Sequence, residues 1–314
     1  MTQVVTIGES MVLFSPEGNG PLRYVSQFSK RVAGSESNVA IGLSKLGHSA
    51  RWVSRLGHDE FGYFVRNMIR GEGVDTTYIT FDPLHPTGLM FKETMFQQES
   101  KVLYYRNGSA ASFLAPEDIP EEAIASAEIL HISGITPTLN PNCIHVIEHA
   151  LTLAEKHRVK ISFDPNIRLK LWGKTDYTEY MLQIMKRADI LLLGLDEAER
   201  LVGITDPDRI LEMLQEFGAS YVALKDGRRG AWIGAGQHYK IDPFPCQCVD
   251  PIGAGDAFDA AFLAGVLEGK SPEYCGYMGA VAGAMATQTT GDIEGYSSRE
   301  QLDAVLDGIL PVYR

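Results

Sequence analysis

A short run toward the C-terminus combines the side chains and spacing that phosphoryl transfer requires. Residues Asp250 to Asp256 read Asp-Pro-Ile-Gly-Ala-Gly-Asp, follow extended sequence and open a helical pattern. Backbone N–H groups at a helix N-terminus bind anions, and the small residues Gly253, Ala254 and Gly255 would let a phosphate approach them. Asp256 beside such an anion is expected to accept the proton of an attacking hydroxyl. From the spacing alone, an ordinary acidic residue in a first helical turn remains the competing interpretation.

Two arginines could bind a second anion. Arg106 ends an extended segment, and Arg168 follows the C-terminal end of a predicted strand, where ligands collect in open α/β sheets. A guanidinium binds a carboxylate through two parallel hydrogen bonds, so the two arginines could converge on one carboxylate. The alternative is that each arginine forms a salt bridge within the protein.

The elements that must position these residues alternate between strands and helices. β-Branched and apolar runs predict strands, and apolar residues at helical spacing predict helices. The predicted strands cover residues 4–7, 50–56, 128–135, 159–164, 190–193 and 221–225. The predicted helices cover residues 35–47, 60–70, 141–157, 177–187, 254–268, 272–288 and 298–310. Such alternation predicts an α/β fold in which helices cover both faces of a mostly parallel sheet.

Two helices carry more detailed expectations. Ser35 or Ser37 is expected to cap the helix over 35–47, because a hydroxyl can accept a hydrogen bond from the first helical turn. In the helix over 60–70 the residues expected to face the core are Phe61, Phe64, Met68 and Ile69.

One region breaks the alternation. Segments 87–96 and 101–106 read as two extended segments joined by a polar turn, and with 14–28 they could form a small β-layer beside the main sheet. No linker rich in Pro, Gly or Ser and no internal repeat interrupts the chain. We therefore expect one domain over residues 1–314, with a β-sheet lid formed by segments at about 11–32 and 86–112.

The composition argues against several classes of function. The 314 residues include 28 Lys and Arg and 40 Asp and Glu, a net charge of −12. An acidic surface repels nucleic acid and anionic lipid, so no nucleic-acid or membrane partner is expected. The N-terminus lacks a signal-peptide pattern, and the apolar stretch 275–286 is shorter than the roughly 20 residues that span a bilayer. The four cysteines are too few for a disulfide scaffold and indicate reduced thiols in a cytoplasmic protein.

Two motifs together resemble the PfkB/ribokinase family of carbohydrate kinases. One is the rear run 250–256, and the other is Gly-Ser-Glu-Ser-Asn-Val-Ala from Gly34 to Ala40. They stand in the order and spacing of the family, and the resemblance covers essentially the whole chain. It implies a three-layer α/β/α fold with a β-sheet lid, ATP as phosphoryl donor, Mg²⁺, and Asp256 as catalytic base.

Further segments resemble the 2-keto-3-deoxygluconate kinases within that family. They are Tyr104 to Ser112, Asp164 to Arg168 and Gly194 to Ala198. The resemblance implies phosphorylation of this sugar acid at its 6-hydroxyl. It also implies that the substrate is bound by Gly34, Asn38, Tyr104, Arg106 and Arg168, together with Asp256.

The resemblance also indicates the nucleotide and metal sites. The turn with Lys225, Gly227 and Gly230 is similar to the family's nucleotide loop, which would bind ATP together with Gly253, Ala254 and Gly255. Glu197 matches an acidic residue that organises Mg²⁺ through water, which suits an ion that keeps several water ligands.

Three positions depart from the family pattern. Gly194 replaces an asparagine three residues before Glu197, which weakens the metal assignment. Met90 stands where some relatives carry a substrate-contacting tyrosine, and Pro251-Ile252 replaces a common threonine pair. The last departure leaves a requirement for a monovalent cation open.

Parts of this sequence are also compatible with other functions. A kinase of a neutral sugar such as fructose or ribose, or of a nucleoside, would keep the fold but give the two arginines no carboxylate to bind. A non-catalytic sugar-acid sensor would not need Asp256. A nicotinamide-dependent dehydrogenase is disfavoured because no Gly-x-Gly-x-x-Gly follows the first strand. The exposed edges of a small lid suggest a homodimer or higher homo-oligomer that pairs lids between subunits.

Overall fold

The computed structural model describes residues 2–18, 20–94 and 100–308. Within these residues the strands are β1 Val4–Ile7, β2 Met11–Pro16, β3 Phe28–Ala33, β4 Ala50–Gly57, β5 Ile79–Asp82, β6 Leu89–Thr94, β7 Ser100–Tyr105, β8 Ile129–Ser133, β9 Lys160–Asp164, β10 Ile190–Gly194, β11 Tyr221–Lys225, β12 Ala231–Gly234 and β13 His238–Ile241. The helices are α1 Ser35–Lys45, α2 Glu60–Gly71, α3 Glu121–Ile124, α4 Cys143–His157, α5 Leu169–Trp172, α6 Thr178–Met185, α7 Leu195–Val202, α8 Pro207–Glu216, α9 Ala254–Leu267, α10 Pro272–Ala286 and α11 Arg299–Leu306.

A nine-stranded sheet forms the centre of the molecule, in the order β13-β12-β11-β10-β9-β8-β1-β4-β5. Every pair from β11 to β5 is parallel, whereas β12 is antiparallel to both of its neighbours. Parallel neighbours bring their carboxyl ends to one edge, so the loops that follow β1, β9, β10 and β11 meet there. This confirms the predicted mostly parallel sheet.

Side chains on the two faces of this sheet enter two separate cores. In β10, Ile190 and Leu192 pack with α1, α9 and α10, whereas Leu191 and Leu193 pack with α4, α6 and α8. Strand side chains alternate between faces, so an uninterrupted apolar run is what a sheet covered on both sides requires. The expected three-layer α/β/α architecture is therefore confirmed.

A second sheet of four strands, in the order β3-β2-β6-β7, lies beside the first. Its outer pairs are antiparallel and its central pair, β2 with β6, is parallel. One face buries Met11, Leu13, Ala33 and Met90. On the other face Phe14 stacks on Phe91 at 4.9 Å and meets Phe61 of α2 edge-on at 5.9 Å. These aromatic contacts fix the second sheet against the helical layer.

Most predicted elements begin and end within two residues of the observed ones, but two details were wrong. Met68 is 40% exposed, because the buried stripe of α2 runs through Gly62, Val65 and Ile69 and leaves Met68 to one side. Neither serine caps α1, whose N-cap is Gly34. The predicted turn before β7, and the predicted helix end at 309–310, lie outside the described residues.

No helix among the described residues is long and apolar enough to span a bilayer.

A buried carboxyl group, that of Glu36 in α1, couples the stability of this fold to pH. It accepts hydrogen bonds from the hydroxyl groups of Ser133 at 2.6 Å and Thr136 at 3.0 Å. A side chain at Gly8 would collide with it, since an added Cβ would lie 2.1 Å from its Cδ. Burial raises the pKa of Glu36 from 4.5 to about 7, against the opposing effect of these hydrogen bonds. Folding therefore favours the protonated carboxyl.

We expect Glu36→Gln to remove part of the protein's loss of stability at alkaline pH. A group whose pKa is higher in the native state than in the unfolded state stabilises the fold at pH values below its unfolded pKa. For Glu36 this stabilisation is lost as pH rises through the native pKa of about 7. The free energy of unfolding of Glu36→Gln relative to the parent should thus rise by roughly 3 kcal/mol between pH 4.5 and pH 8. Urea titrations at both pH values measure this, with exposed Glu212→Gln as control. A pH-independent difference would contradict it.

Candidate active site

A cleft of about 1410 Å³ opens where the carboxyl ends of the parallel strands face the second sheet. All of the site residues predicted from the sequence line it. They are Gly34, Asn38, Tyr104, Arg106, Arg168, Glu197, Lys225, Gly227, Gly230, Gly253, Ala254, Gly255 and Asp256. The cleft thus unites residues from both ends of the chain.

Asp256 lies in the first turn of α9, and two side chains from the α1 turn hold its carboxylate. Ser35 Oγ donates to one oxygen at 2.7 Å, and Asn38 Nδ2 donates to the other at 2.8 Å. Burial raises the pKa of Asp256, and the hydrogen bonds from Asn38 and Ser35 oppose that increase. A carboxylate that is fixed in orientation and more basic than usual is suited to accept a proton.

The turn before α9 depends on glycine. Gly253 is the N-cap of α9 with φ at +79°, and an added Cβ would lie 2.1 Å from the carbonyl oxygen of Asp292. Among the described residues, no acceptor pairs with the backbone N–H of Gly255 or of Asp256. Two N–H donors at a helix N-terminus are therefore available in the cleft to an anionic ligand.

Beneath these amides lies a buried charged cluster centred on Lys225, at the end of β11. Lys225 Nζ donates to Asp164 Oδ2 at 2.9 Å and to Asp259 Oδ1 at 2.9 Å. Burial opposes the charge of the lysine, but the two carboxylates raise the pKa of Lys225. Burial raises the pKa of Asp259 well above its usual value, whereas Lys225 outweighs burial at Asp164 and lowers its pKa. The cluster ties α9 to β9 and β11.

The two predicted arginines differ in their surroundings. Arg106 is half-buried and forms an ion pair with the buried carboxylate of Glu9, to which its Nε donates at 2.7 Å. Its guanidinium also lies 5.6 Å from the ring centre of Tyr104. Arg168 is exposed and forms no ion pair with any described residue. Both line the cleft, so the salt-bridge alternative holds for Arg106 and not for Arg168.

The other end of the cleft is formed by backbone turns and small residues. Gly227 and Gly230, which flank the turn after β11, have φ values of +52° and +87°. An added Cβ at Gly230 would lie 1.9 Å from the carbonyl oxygen of Ile241. The loop 243–249 and one side of α10, at Ala280 and Gly283, complete the walls. Sequence reasoning missed this loop, whose Cys246 and Cys248 indicated only reduced thiols, and this helix face, which carries only small apolar residues.

Glu197 lies at the start of α7 on the same edge of the sheet. Its two carboxylate oxygens accept hydrogen bonds from the backbone N–H groups of Gly194, at 2.9 Å, and Ile167, at 2.6 Å. Burial and the charge of Asp164 raise the pKa of Glu197 to about 7. In the described part of the chain, no three acidic, histidine or cysteine side chains cluster as metal ligands.

Three further residues of the cleft were not predicted. Ser35 and Asn166 form a relay in which Asn166 Nδ2 donates to Ser35 Oγ at 2.9 Å, and Ser35 donates to Asp256. Asp292 lies beside Asn38, whose Nδ2 is 3.4 Å from Asp292 Oδ2. The signal for Ser35 was present, since it adjoins Gly34 in the front motif, but it was interpreted as a helix cap.

Gly34 avoids a collision with the protein itself. An added Cβ would lie 2.5 Å from the carbonyl oxygen of Glu9 and 2.6 Å from Ser10 Oγ. The residue adopts extended backbone, so the space around it and not its φ angle excludes a side chain.

Comparison with known proteins shows that the chain is similar to sugar kinases in sequence and in fold. A family model described as pfkB family carbohydrate kinase matches residues 1–299. The chain is 35% identical to a 2-dehydro-3-deoxygluconokinase of Bacillus subtilis (strain 168) over 318 residues, which cover 99% of this chain and 97% of the relative.

Solved structures show the same architecture. The 2-dehydro-3-deoxygluconokinase of Thermotoga maritima superimposes with a TM-score of 0.90 at 28% identity and covers 98% of each chain. A putative ribokinase II from E. coli, solved in complex with ATP and Mg²⁺, has a TM-score of 0.91 at 24% identity, covering 98% of this chain and all of its own. At 24% identity, the similarity to the E. coli protein shows a shared fold only.

The Lys225 cluster predicts a large loss of stability when its cation is removed. Lys225→Met leaves Asp164 and Asp259 buried without a positive partner, which should lower the free energy of unfolding by roughly 3–5 kcal/mol at pH 8. The loss should shrink toward pH 5, where the carboxyl groups can take up protons. Denaturant titrations measure both, with the exposed Lys160→Met in β9 as control. A variant as stable as the control at pH 8 would refute the assignment.

Proposed function

The chain belongs to the pfkB family of carbohydrate kinases, and we propose that it transfers a phosphoryl group from ATP to the 6-hydroxyl of 2-keto-3-deoxygluconate, also called 2-dehydro-3-deoxygluconate. The observation that carries this proposal is the arrangement of Asp256. Its carboxylate adjoins unpaired helix N–H groups in a cleft that also exposes Arg168. The names of the Bacillus and Thermotoga relatives support the same substrate.

Asp256 is the proposed general base. Ser35 and Asn38 hold both carboxylate oxygens, so its orientation is fixed before a substrate arrives. The carboxylate would take the proton of the 6-hydroxyl as that oxygen forms its bond to the γ-phosphorus of ATP, while the bond from this phosphorus to the β,γ-bridging oxygen breaks and ADP leaves. The N–H groups of Gly255 and Asp256 would donate hydrogen bonds to the phosphate oxygens, where negative charge accumulates.

The arginines would select an acidic sugar. Arg168 has no carboxylate partner among the described residues, so its guanidinium can form a bidentate pair with the substrate carboxylate. Arg106 is already paired with Glu9, and we propose that this ion pair fixes Arg106 and Tyr104 at the cleft wall. Holding the acid end of the sugar would determine which hydroxyl reaches Asp256.

The residues present fit Mg²⁺ bound through water beside ATP. Each Glu197 oxygen accepts one backbone N–H and can accept a second hydrogen bond, as from a metal-bound water. One carboxylate suffices for an ion that binds phosphate oxygens and keeps several waters. When bound, Mg²⁺ would neutralise charge on the phosphate groups. We propose that the turn at 227–230 and the side of α10 hold the nucleotide, since both line the cleft near Gly253 to Asp256.

The second sheet is proposed to act as the lid. Met11, Ala33 and Met90 of its inner face line the cleft, so its position would control water access to the bound sugar. We also propose that the protein forms a homo-oligomer through this sheet, with Tyr105, 66% exposed on the edge strand β7, in the contact.

Asp256→Asn should lower kcat by roughly 10²–10⁴-fold while leaving ligand binding largely intact. The amide can still accept from Ser35, and Asn38 can turn its own amide toward it, since Asn38 Oδ1 has no partner among the described residues. Coupled ADP-release assays and calorimetric titration with the sugar acid measure the two effects. Asp307→Asn, remote from the cleft, is the control. Near-normal turnover would eliminate Asp256 as the base.

Arg168→Ala should lower kcat/KM for 2-keto-3-deoxygluconate by roughly 10–100-fold, because hydrogen bonds to charged groups contribute about 1.5–3 kcal/mol. Any slow activity with fructose or ribose should not change. The exposed neighbour variant Lys170→Ala serves as control. Equal losses on acidic and neutral sugars would contradict a carboxylate contact. A parent enzyme that prefers fructose or ribose would instead favour the neutral-sugar alternative.

A further inference from the structure

An ammonium group from the second sheet lies at the start of residues 250–256, which we call the anion-binding turn. Lys92, in the middle of β6, forms an ion pair with Asp250, and both side chains are buried, with exposed fractions of 10% and 3%. Lys92 does not line the cleft. Two buried opposite charges joined across 158 residues of sequence are costly to desolvate, so the contact points to a specific role.

Asp250 organises the backbone on both sides of the turn. One carboxylate oxygen accepts the N–H of Ile252 at 3.3 Å, within the run that leads to α9. The other accepts the N–H of Gly291 at 3.3 Å, in the loop that carries Asp292. The carbonyl of Asp292 in turn packs against Gly253. The position of the Asp250 carboxylate therefore determines where the amides of Gly253 to Asp256 point.

The surroundings of Asp250 are strongly acidic. Burial and the neighbouring carboxylates of Asp256, Glu294 and Asp250 raise the pKa of Asp292 to about 7. Arg31 offsets part of this charge, since it pairs with Glu294 at 3.6 Å. Lys92 supplies the positive charge that Asp250 itself requires.

These residues do not fit a bound monovalent metal ion. The rear motif left such a requirement open, and Asp250 is the carboxylate that accepts hydrogen bonds from the backbone on both sides of this turn. That carboxylate already carries the Lys92 ammonium.

We infer that Lys92 replaces a monovalent cation: its ammonium fixes Asp250 and the anion-binding turn, so that the kinase needs no potassium ion. Lys92 is thus a positioning residue, and the inference rests on the proposed kinase function. It also links the second sheet to the phosphate site, because β6 carries both Lys92 and the cleft residue Met90.

The test compares the parent protein with Lys92→Met and with a matched control, Lys101→Met, which removes an exposed lysine from the neighbouring strand β7. Thermal unfolding and kinase activity are measured in potassium chloride and in tetramethylammonium chloride at equal ionic strength. The large organic cation keeps the ionic strength constant but cannot enter the buried position. Lys92→Arg, which keeps the charge, is the conservative variant.

The parent, Lys101→Met and Lys92→Arg should respond equally to the two salts. Lys92→Met should unfold at a higher temperature in potassium than in tetramethylammonium, and its kcat should rise about tenfold as potassium reaches ten times its dissociation constant. A parent enzyme that potassium activates as strongly would overturn the inference. So would a Lys92→Met variant that ignores potassium, or one that folds in neither salt.

Failure of the proposed function would look different. A parent protein that phosphorylates none of the sugars would refute the kinase proposal, yet the effect of potassium on the unfolding temperature of Lys92→Met would still test the replacement. A parent enzyme that is active and requires potassium would refute the replacement while supporting the kinase.

Discussion

The pairing of the Lys225 ammonium with two buried carboxylates is the interaction on which the candidate site depends. It joins the ends of β9 and β11 to α9 through Asp164 and Asp259, at a level just below the first turn of that helix. Asp256 lies one turn before Asp259, so the contact that anchors the helix also sets the height and rotation of the proposed base. Ser35 and Asn38 can reach both oxygens of Asp256 because this placement is fixed.

Most positive charge around the cleft is already neutralised by the protein. Lys225 is matched by two carboxylates, Arg106 by Glu9, and Lys92 by Asp250. In a chain with a net charge of −12, this leaves the guanidinium groups of Arg168 and Arg228 and the helix amides, among the described residues that line the cleft, to attract anions. Amides carry no net charge and need no counter-ion when empty, so the cleft can bind phosphate without a cluster of repelling cations.

The sequence predicted the layers of the fold and the residues of one cleft, because both depend on local patterns. An apolar run such as that of β10 predicts a strand of the central sheet, and a glycine such as Gly253 before a helical pattern predicts the turn at the cleft. The strands β5, β12 and β13 were missed because each has only four residues and lacks the unbroken β-branched run that indicated the equally short β1. Helix α8 was missed although Asp206 caps it and Pro207 starts it, which is a recognisable N-terminal signal.

What the sequence could not predict are contacts between side chains that are distant in the chain. The partners of Arg106 and Lys92 follow from how the two sheets pack, and no neighbouring residue in the sequence indicates which carboxylate will pair with either of them. The motif around Gly34 likewise located the substrate side of the cleft, but not that Ser35 donates to Asp256. A residue role that is assigned by resemblance can therefore be judged only when the contacts of its side chain are known.

The contact between Asn38 and Asp256 joins positions 218 residues apart. At synthesis rates of about 5–20 residues per second, α1 leaves the ribosome roughly ten to forty seconds before α9 does. During that interval the nascent chain can form β1 and α1, but it cannot complete an active centre. A growing polypeptide of this protein therefore has no means of consuming ATP before its last helices have been translated.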